Sequence, residues 1–286
     1  MIKRSGMVKK SGAFLMVLFA GLLFRSQPSF AMGNLTITPW RIVFGARDRS
    51  ASVTLLNTSD RPATYRIGWL LTKATADGKY DLSPYNPKKD KNPFSVPNMI
   101  IYSPRQVTIE PHGYQLIRME LRRPSNLPFG EYRAHMTFIQ LAHQSAPSRD
   151  PHAKDVSMKL SVNFGFSIPV IVRQGVDNNL KIELMNPRLV ARGKYSALEV
   201  DITRVAGTFS SYGTVNVYWT PPGSKEKKVG ELTNVALYPE LKTRHIYVPL
   251  IFTHRRIVGG QIRVAYVGKL DAAGKVWDQK VFNVGQ

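Results

Sequence analysis

Residues 158–172 have the sequence MKLSVNFGFSIPVIV. Apolar side chains occupy every even position of this stretch, and small or polar side chains occupy most of the odd positions. Because successive side chains of a β-strand point to opposite faces, this alternation predicts one long strand with one apolar face. At about 3.3 Å per residue the strand would be about 50 Å long, against about 17–20 Å for an ordinary strand. We therefore predict a strand that one small domain cannot cover along its whole length.

The N-terminal half of this strand is predicted to pair with a partner strand. If the strand passes from one domain into the next, that explains the length of its C-terminal half. The N-terminal half would still present alternating apolar side chains at the edge of a sheet, a feature that ordinarily promotes aggregation. We therefore expect the face formed by Leu160, Val162, Phe164 and Phe166 to be kept for a strand of another protein.

The chain before the long strand has the same period of two. About seven alternating segments, separated by turn residues, lie in roughly 140 residues from Leu35, which is typical of an immunoglobulin-like sandwich. Pro39 interrupts the first segment and restricts it to a sheet edge or to a switch between sheets. Residues 73–98 are polar and are predicted to form a long surface loop. His135 is predicted to lie on the polar face of its strand.

After Gln174 and Gly175 the alternation restarts and continues to Val284, with a turn predicted at Asn186-Pro187. The predicted fold class is therefore all-β, with two immunoglobulin-like β-sandwich domains joined at an angle by almost no linker. We place the N-terminal domain at residues 32–174 and the C-terminal domain at residues 175–286.

The N-terminus has the features of a signal peptide. Basic residues without an acid lead into the apolar run Ala13–Phe24, which is too short to span a bilayer. Ser29 and Ala31 then occupy the −3 and −1 positions of a cleavage site. We predict that residues 1–31 are removed and that the mature chain is exported to the periplasm. Because the mature sequence has no run of eighteen apolar residues, we expect no stable insertion into a membrane.

Composition excludes several classes of site. The chain has no cysteine, which excludes disulfides, thiolate metal sites and a thiol nucleophile. Forty basic residues against nineteen acidic ones give a formal charge of +21, and removal of the signal peptide with its five basic residues leaves +16. Such a charge suits nucleic acid, an anionic membrane surface or an acidic protein. Export argues against an intracellular nucleic acid as the partner.

The motifs of common enzymes are missing from the sequence. It contains neither a Gly-x-Ser-x-Gly elbow nor a His-Glu-x-x-His pair, and its six histidines are irregularly spaced. We therefore expect a protein that is not an enzyme and that has no cofactor and no metal site.

Arg41 is an unusual charge because it lies inside an apolar strand, between Trp40 and Ile42. A buried arginine needs a carboxylate, which its guanidinium can bind through two hydrogen bonds. The sequence leaves two sources of that carboxylate open. One is an acid of this chain, and the other is a bound ligand.

Several segments resemble the periplasmic pilus-assembly chaperones of the PapD-like family. The resemblance covers about residues 35–175 and consists of the segments Pro39–Phe44, Asn57–Ser59, Ser103–Pro111, Gln115–Arg118 and Gly130–Phe138, together with the overlong strand before the domain joint.

The resemblance implies that the chain binds pilin or fimbrial subunits. Members of this family lend a strand to an incomplete subunit and deliver it to an outer-membrane usher. Leu160, Val162, Phe164 and Phe166 match the donor strand. Arg41 matches the arginine that anchors the C-terminal carboxylate of the subunit. The family's second cleft cation, a lysine, has no counterpart at positions 163–165.

Two other functions are compatible with the same sequence. The first is a secreted, basic β-sandwich protein that binds polyanionic glycan or lipopolysaccharide, whose binding would depend strongly on salt. The second is a structural pilus component, against which two complete sandwiches argue.

Overall fold

The computed structural model describes residues 34–81, 95–141, 164–192, 195–251 and 257–285. The predicted signal peptide, residues 1–31, and the predicted donor residues Leu160 and Val162 lie outside the described residues. In the ranges described, no helix has the length and apolar character needed to cross a membrane.

The described residues are almost entirely β-structure. The elements of the N-terminal half are β1 (Leu35–Thr38), β2 (Ile42–Phe44), β3 (Ser50–Asn57), β4 (Ala63–Leu70), β5 (Lys73–Ala74), β6 (Tyr80–Asp81), α1 (Val96–Met99), β7 (Ile100–Ser103), β8 (Gln106–Ile109), β9 (Tyr114–Leu121), β10 (Gly130–Gln140) and β11 (Gly165–Gln174). Two sheets pack face to face, one in the order β1-β3-β9-β7 and the other in the order β2-β11-β10-β4-β8. Their inner faces enclose one apolar core.

Pro39 marks a change of sheet, as the sequence predicts. The strand before it, β1, pairs antiparallel with β3 in the first sheet, and the strand after it, β2, pairs parallel with β11 in the second. Because proline cannot donate a ladder hydrogen bond, the crossing point falls where the chain leaves one ladder for the other. Both strands lie at the edge of their sheets.

The Asn57-Thr58-Ser59 turn is tied to the strands that follow it by one buried side chain. Asn57 is fully buried at the end of β3. Its Nδ2 donates to the carbonyl oxygens of Arg61 and Ile109, at 2.8 and 3.0 Å, and its Oδ1 accepts from the hydroxyl of Ser59 at 2.7 Å. Such a buried amide must satisfy its hydrogen bonds inside the protein, and it therefore fixes the turn against β8.

The C-terminal half forms a second sandwich. Its elements are β12 (Lys181–Arg192), β13 (Tyr195–Ala206), β14 (Ser211–Thr220), β15 (Lys227–Leu237), β16 (Thr243–Pro249), β17 (Gln261–Gly268), a 3-10 turn (Leu270–Ala272) and β18 (Val276–Asn283). One sheet has the order β12-β13-β16 and the other the order β15-β14-β17-β18, around a separate apolar core. The predicted all-β fold class with two sandwiches is confirmed.

Two predictions about local structure were wrong. The predicted turn at Asn186-Pro187 is a bulge inside β12, where the register against β13 shifts between Met185 and Arg188. The segment 73–98 is not simply a loop. In its described part, β5 and β6 pair as a short hairpin, and Val96 of α1 is buried in the first core.

Candidate functional site

The two sandwiches meet at the outward face of the sheet that contains β2, β10 and β11. Ile171 of β11 is fully buried although it lies on that outward face. Its neighbours across the strands are Val43 of β2 and Arg133 of β10. Ile171 clusters with Tyr212 and Tyr238 of the second sandwich, so the outward face is covered here by the other domain.

Arg41 lies in this joint and is enclosed by the second sandwich. Its side chain is 1% exposed. Nη2 donates to the hydroxyl of Ser210 at 3.0 Å, and the guanidinium lies 4.8 Å from the ring centre of Tyr212 and 5.8 Å from that of Tyr238. Its closest described acid is Asp271, whose Oδ1 is 3.7 Å from Nε.

The guanidinium of Arg41 is incompletely satisfied in this environment. Nε and Nη1 are both buried and have no hydrogen-bond partner within the described part of the chain. A buried cation of this kind has paid the cost of desolvation without the hydrogen bonds that ordinarily offset it. Arg41 therefore has one internal carboxylate, Asp271, at 3.7 Å, and two nitrogens that could donate hydrogen bonds to a second carboxylate.

A second arginine shares the carboxylate that faces Arg41. Arg173 of β11 donates from Nη1 to Oδ2 of Asp271 at 2.7 Å and from Nε to Oε2 of Glu131 at 2.9 Å. Glu131 is fully buried, and its Oε2 also accepts from the backbone N–H of Ser210 at 3.2 Å. Because these pairs join β10 and β11 to the second sandwich, they hold the joint together.

Arg133 also lies against Tyr238. Its guanidinium is 4.0 Å from the ring centre of Tyr238, and it forms an ion pair with Glu240 of the second sandwich. Tyr80 of the β5–β6 hairpin completes this layer, with its hydroxyl 3.4 Å from that of Tyr238. Burial, followed by the contact with the Tyr238 hydroxyl, raises the pKa of the Tyr80 hydroxyl, and the charge of Arg133 partly opposes this rise.

His135 belongs to the same layer, and the polar face on which the sequence places it is covered here. It is buried, and the ring of Tyr80 packs edge-on against it at 4.8 Å. Burial is the main reason that the pKa of His135 is lowered to about 3, and the charges of Arg133 and Arg41 contribute to this lowering. The imidazole is therefore neutral and can accept a hydrogen bond from Nη1 of Arg133, which lies 3.3 Å from Nδ1.

The predicted donor strand has one open edge. Strand β11 pairs with β10 from Gly165 to Gln174, whereas β2 covers the opposite edge only at Val170–Val172. Phe166 is half-buried and packs against the first core, and Phe164, just before the strand, is 44% exposed. Within the described residues, the edge from Gly165 to Pro169 thus carries no strand on its β2 side.

A cavity of about 300 Å³ lies on one side of the joint. Arg173, Ser210 and Asp271 line it on the charged side, and Phe209 and Trp277 line it on the apolar side. Arg41 is not among the described residues that line it, although Ser210 and Asp271 contact both. The cavity therefore ends at the partners of Arg41 and does not open onto its guanidinium.

Sequence reasoning found Arg41 but missed the charges around it. Arg133, Glu131 and Arg173 alternate with apolar residues, as side chains on a solvated face also do. The available signal was Ile171, the one large apolar residue at an odd position between 158 and 172. An apolar side chain on the otherwise polar face of a strand indicates that this face is covered locally.

Comparisons with known proteins give matches among solved structures alone. No protein-family model and no curated protein matches the chain. The CupB2 chaperone of Pseudomonas aeruginosa matches with 12% identity and a TM-score of 0.45, over 87% of this chain and 98% of that one. The E. coli chaperone DraB matches with 14% identity and a TM-score of 0.44, over 88% and 96%.

A third match is the structure of the SafA pilin in complex with the SafB chaperone from Salmonella enterica. It has 13% identity and a TM-score of 0.43, over 87% of this chain and 95% of that one. Each of these three solved structures contains a chaperone, and in the third the chaperone is bound to a pilin.

Proposed function

We propose that this protein is a periplasmic chaperone that binds pilin or fimbrial subunits by donor-strand complementation and delivers them to an outer-membrane usher. The observation that carries the proposal is the open edge of β11. Its backbone from Gly165 to Pro169 is paired on one side only. The apolar residue Phe164 precedes this stretch, and Phe166 lies within it. Strand addition at such an edge takes affinity from backbone hydrogen bonds and specificity from the side chains at alternate positions.

The donor face in this proposal consists of Leu160, Val162, Phe164 and Phe166. Phe164 is exposed and available to a groove in the subunit. Phe166 already packs on the first core, so a subunit that pairs with β11 would extend that core. Burial of each such side chain in a subunit groove would contribute about 1.5–3 kcal/mol.

Arg41 anchors the C-terminal carboxylate of the subunit in this proposal. Its Nε and Nη1 lack hydrogen-bond partners among the described residues. A carboxylate bound to them would form charge-assisted hydrogen bonds, which are stronger than those between neutral groups.

Several positively charged side chains of the protein form hydrogen bonds within its own structure. Arg133, Arg173, Arg204 and Arg244 are all only partly exposed and donate to carboxylates or to backbone carbonyls. These arginines are not free to bind a polyanion, which favours the chaperone over a protein that binds glycan or lipopolysaccharide.

A pull-down from periplasm tests the proposal. The tagged full-length chain is expressed in its source bacterium, and proteins that co-purify are identified by mass spectrometry. We expect one small β-rich subunit in a one-to-one ratio, and we expect it to stay bound in 1 M salt because apolar burial holds it. Recovery of polyanions that elute with salt, and of no such subunit, would contradict the proposal.

A further inference from the structure

The β5–β6 hairpin reaches across the joint and binds the second sandwich. We call residues Thr72–Asp81 the strap. The backbone N–H of Ala74 donates to Oε1 of Glu240 at 2.9 Å, and the carbonyl oxygen of Ala76 accepts from the backbone N–H of His245 at 2.8 Å. The strap is therefore attached to both sandwiches, although its sequence belongs to the first.

The strap covers the rings that enclose Arg41. Ala74 packs against the cluster that contains Tyr212 and Tyr238, which are the two rings beside the guanidinium. Tyr80 lies over His135 and Tyr238, with ring centres 4.8 and 6.5 Å away. With the strap in this position the Arg41 side chain is almost completely buried, and an external carboxylate has no route to it from this side.

The cavity beside the joint is not lined by Arg41 among the described residues. The cavity there is lined by Ser210 and Asp271, which stand between it and the guanidinium of Arg41. Asp271 is also held by Arg173 at 2.7 Å. A ligand carboxylate that approached through the cavity would meet the Asp271 carboxylate before it met Arg41, and the two would repel each other.

The strap is held together by hydrogen bonds of its own. Its two strands are two residues long, with the pairs Lys73↔Asp81 and Ala74↔Tyr80, and its turn is closed by a bond from the N–H of Thr75 to the carbonyl of Lys79 at 2.9 Å. These bonds lie within the strap and would survive its movement as a unit. A movement must break at least the backbone contacts at Ala74 and Ala76, the ring contacts of Tyr80 and the packing of Arg244 against Gly78.

We propose that the strap is a gate over Arg41, closed in the free protein and lifted when a subunit carboxylate binds. The inference rests on the proposed function for the identity of the ligand. The unpartnered Nε and Nη1 of Arg41 make the closed state poor in hydrogen bonds, and a carboxylate can reach them only in the open state. A ligand that binds only the open state shifts the population towards it.

A reversible cross-link tests the gate without any subunit. Because the chain has no cysteine, the double variant Ala76→Cys/His245→Cys contains only the introduced pair, placed where the two backbones are hydrogen-bonded. Phenylglyoxal modifies accessible arginines, and peptide mass spectrometry gives the rate at Arg41. We expect Arg41 to react at least tenfold more slowly in the oxidised protein than in the same protein after reduction. Arg188, which is 73% exposed, should react equally in both and serves as the internal control.

A second variant opens the gate. Tyr80→Ala removes the ring that packs on His135 and Tyr238, and we expect it to raise the rate of modification at Arg41 above that of the unaltered protein. Equal rates at Arg41 in the oxidised and reduced forms, or in Tyr80→Ala and the unaltered protein, would overturn the gate.

Subunit capture separates the gate from the proposed function. If both are right, the reduced double variant retains the subunit that co-purifies with the unaltered protein, and the oxidised form loses it. If labelling of Arg41 depends on the disulfide but the unaltered protein captures no subunit, the gate stands and the chaperone function is wrong. If the unaltered protein captures a subunit but the oxidised form captures it equally well, the gate is wrong and the chaperone function stands.

Discussion

Arg173 of the first sandwich forms an ion pair with Asp271 of the second, with 2.7 Å between Nη1 and Oδ2. The same guanidinium binds Glu131, whose side chain is fully buried. One arginine therefore neutralises two carboxylates that come from different domains. Both this side chain and the apolar contacts at Ile171 join the two sandwiches.

We expect Arg173→Ala to destabilise the protein strongly. The substitution would leave the carboxylate of Glu131 buried without its cation, and removal of one partner of a buried ion pair costs about 3–5 kcal/mol. Arg188→Ala is the matched control, because its ion pair with Glu199 is exposed to solvent and should contribute less than about 1 kcal/mol. Chemical denaturation of both variants measures the difference, and equal losses would show that the Arg173 pair has no special role.

Replacement of Arg41 by methionine is expected to separate stability from binding. Arg41 has two unpartnered buried nitrogens, and Asp271 keeps Arg173 as its partner when Arg41 is lost. An apolar side chain of similar length should therefore leave the free energy of unfolding unchanged or raise it by about 1–4 kcal/mol. Capture of the subunit should be lost. A destabilised Arg41→Met protein that still captures its subunit would identify Asp271 as the natural carboxylate of Arg41.

The stability of the protein should fall as pH decreases, and His135 should contribute to the fall. Its folded pKa of about 3 is below the ordinary value near 6.5, because burial and the charges of Arg133 and Arg41 disfavour the imidazolium. Below pH 6.5 the unfolded chain takes up a proton that the folded protein does not, so stability is present above that pH and is lost as pH falls towards 3. The contribution between pH 7 and pH 5 is about 2 kcal/mol.

Unfolding free energies of the unaltered protein and of His135→Gln, each measured at pH 7 and pH 5, isolate this contribution. Glutamine does not titrate, so the variant should lose about 2 kcal/mol less between the two pH values. Equal losses in the two proteins would mean that His135 is accessible to protons in the folded state.

The strands of both sandwiches follow from alternation, but the joint does not. The sheet change at Pro39 is where the sequence predicts it. Arg133 and His135 have the pattern of solvent-facing residues. The second sandwich covers Arg133 through Tyr238 and Glu240, and Tyr80 of the strap packs on His135. A sequence shows which face of a strand is polar, and it does not show whether another domain covers that face.

Short or irregular elements were missed for a different reason. The strap pairs through two residues on each strand, too few for a period of two to be detected. Strand β15 has the sequence KKVGELTNVAL, in which the alternation breaks, and its register against β14 shifts between Gly213 and Val215. A bulge moves side chains to the other face, so the apolar pattern before it and the pattern after it do not match.

Phe164 gives the most direct test of the donor strand. Its backbone carbonyl accepts from the N–H of Gln140 at 2.9 Å, which continues the pairing of β11 with β10, while its side chain is 44% exposed. A charge at this position would face water in the free protein but an apolar groove in the complex. We therefore expect Phe164→Asp to keep the unfolding temperature of the free protein and to lose the subunit, because it removes about 1.5–3 kcal/mol of burial and adds the cost of a buried carboxylate.

Ile101→Asp is the matched control, since Ile101 is 47% exposed on β7 in the other sheet, and it should retain both stability and capture. Phe166→Asp should instead lower stability, because Phe166 packs against the first core. Thermal unfolding and subunit recovery, measured on all three variants, distinguish a donor residue from a core residue. A Phe164→Asp protein with a lowered unfolding temperature would place Phe164 in the core. A Phe164→Asp protein that is stable and still captures the subunit would show that Phe164 is not part of the donor strand.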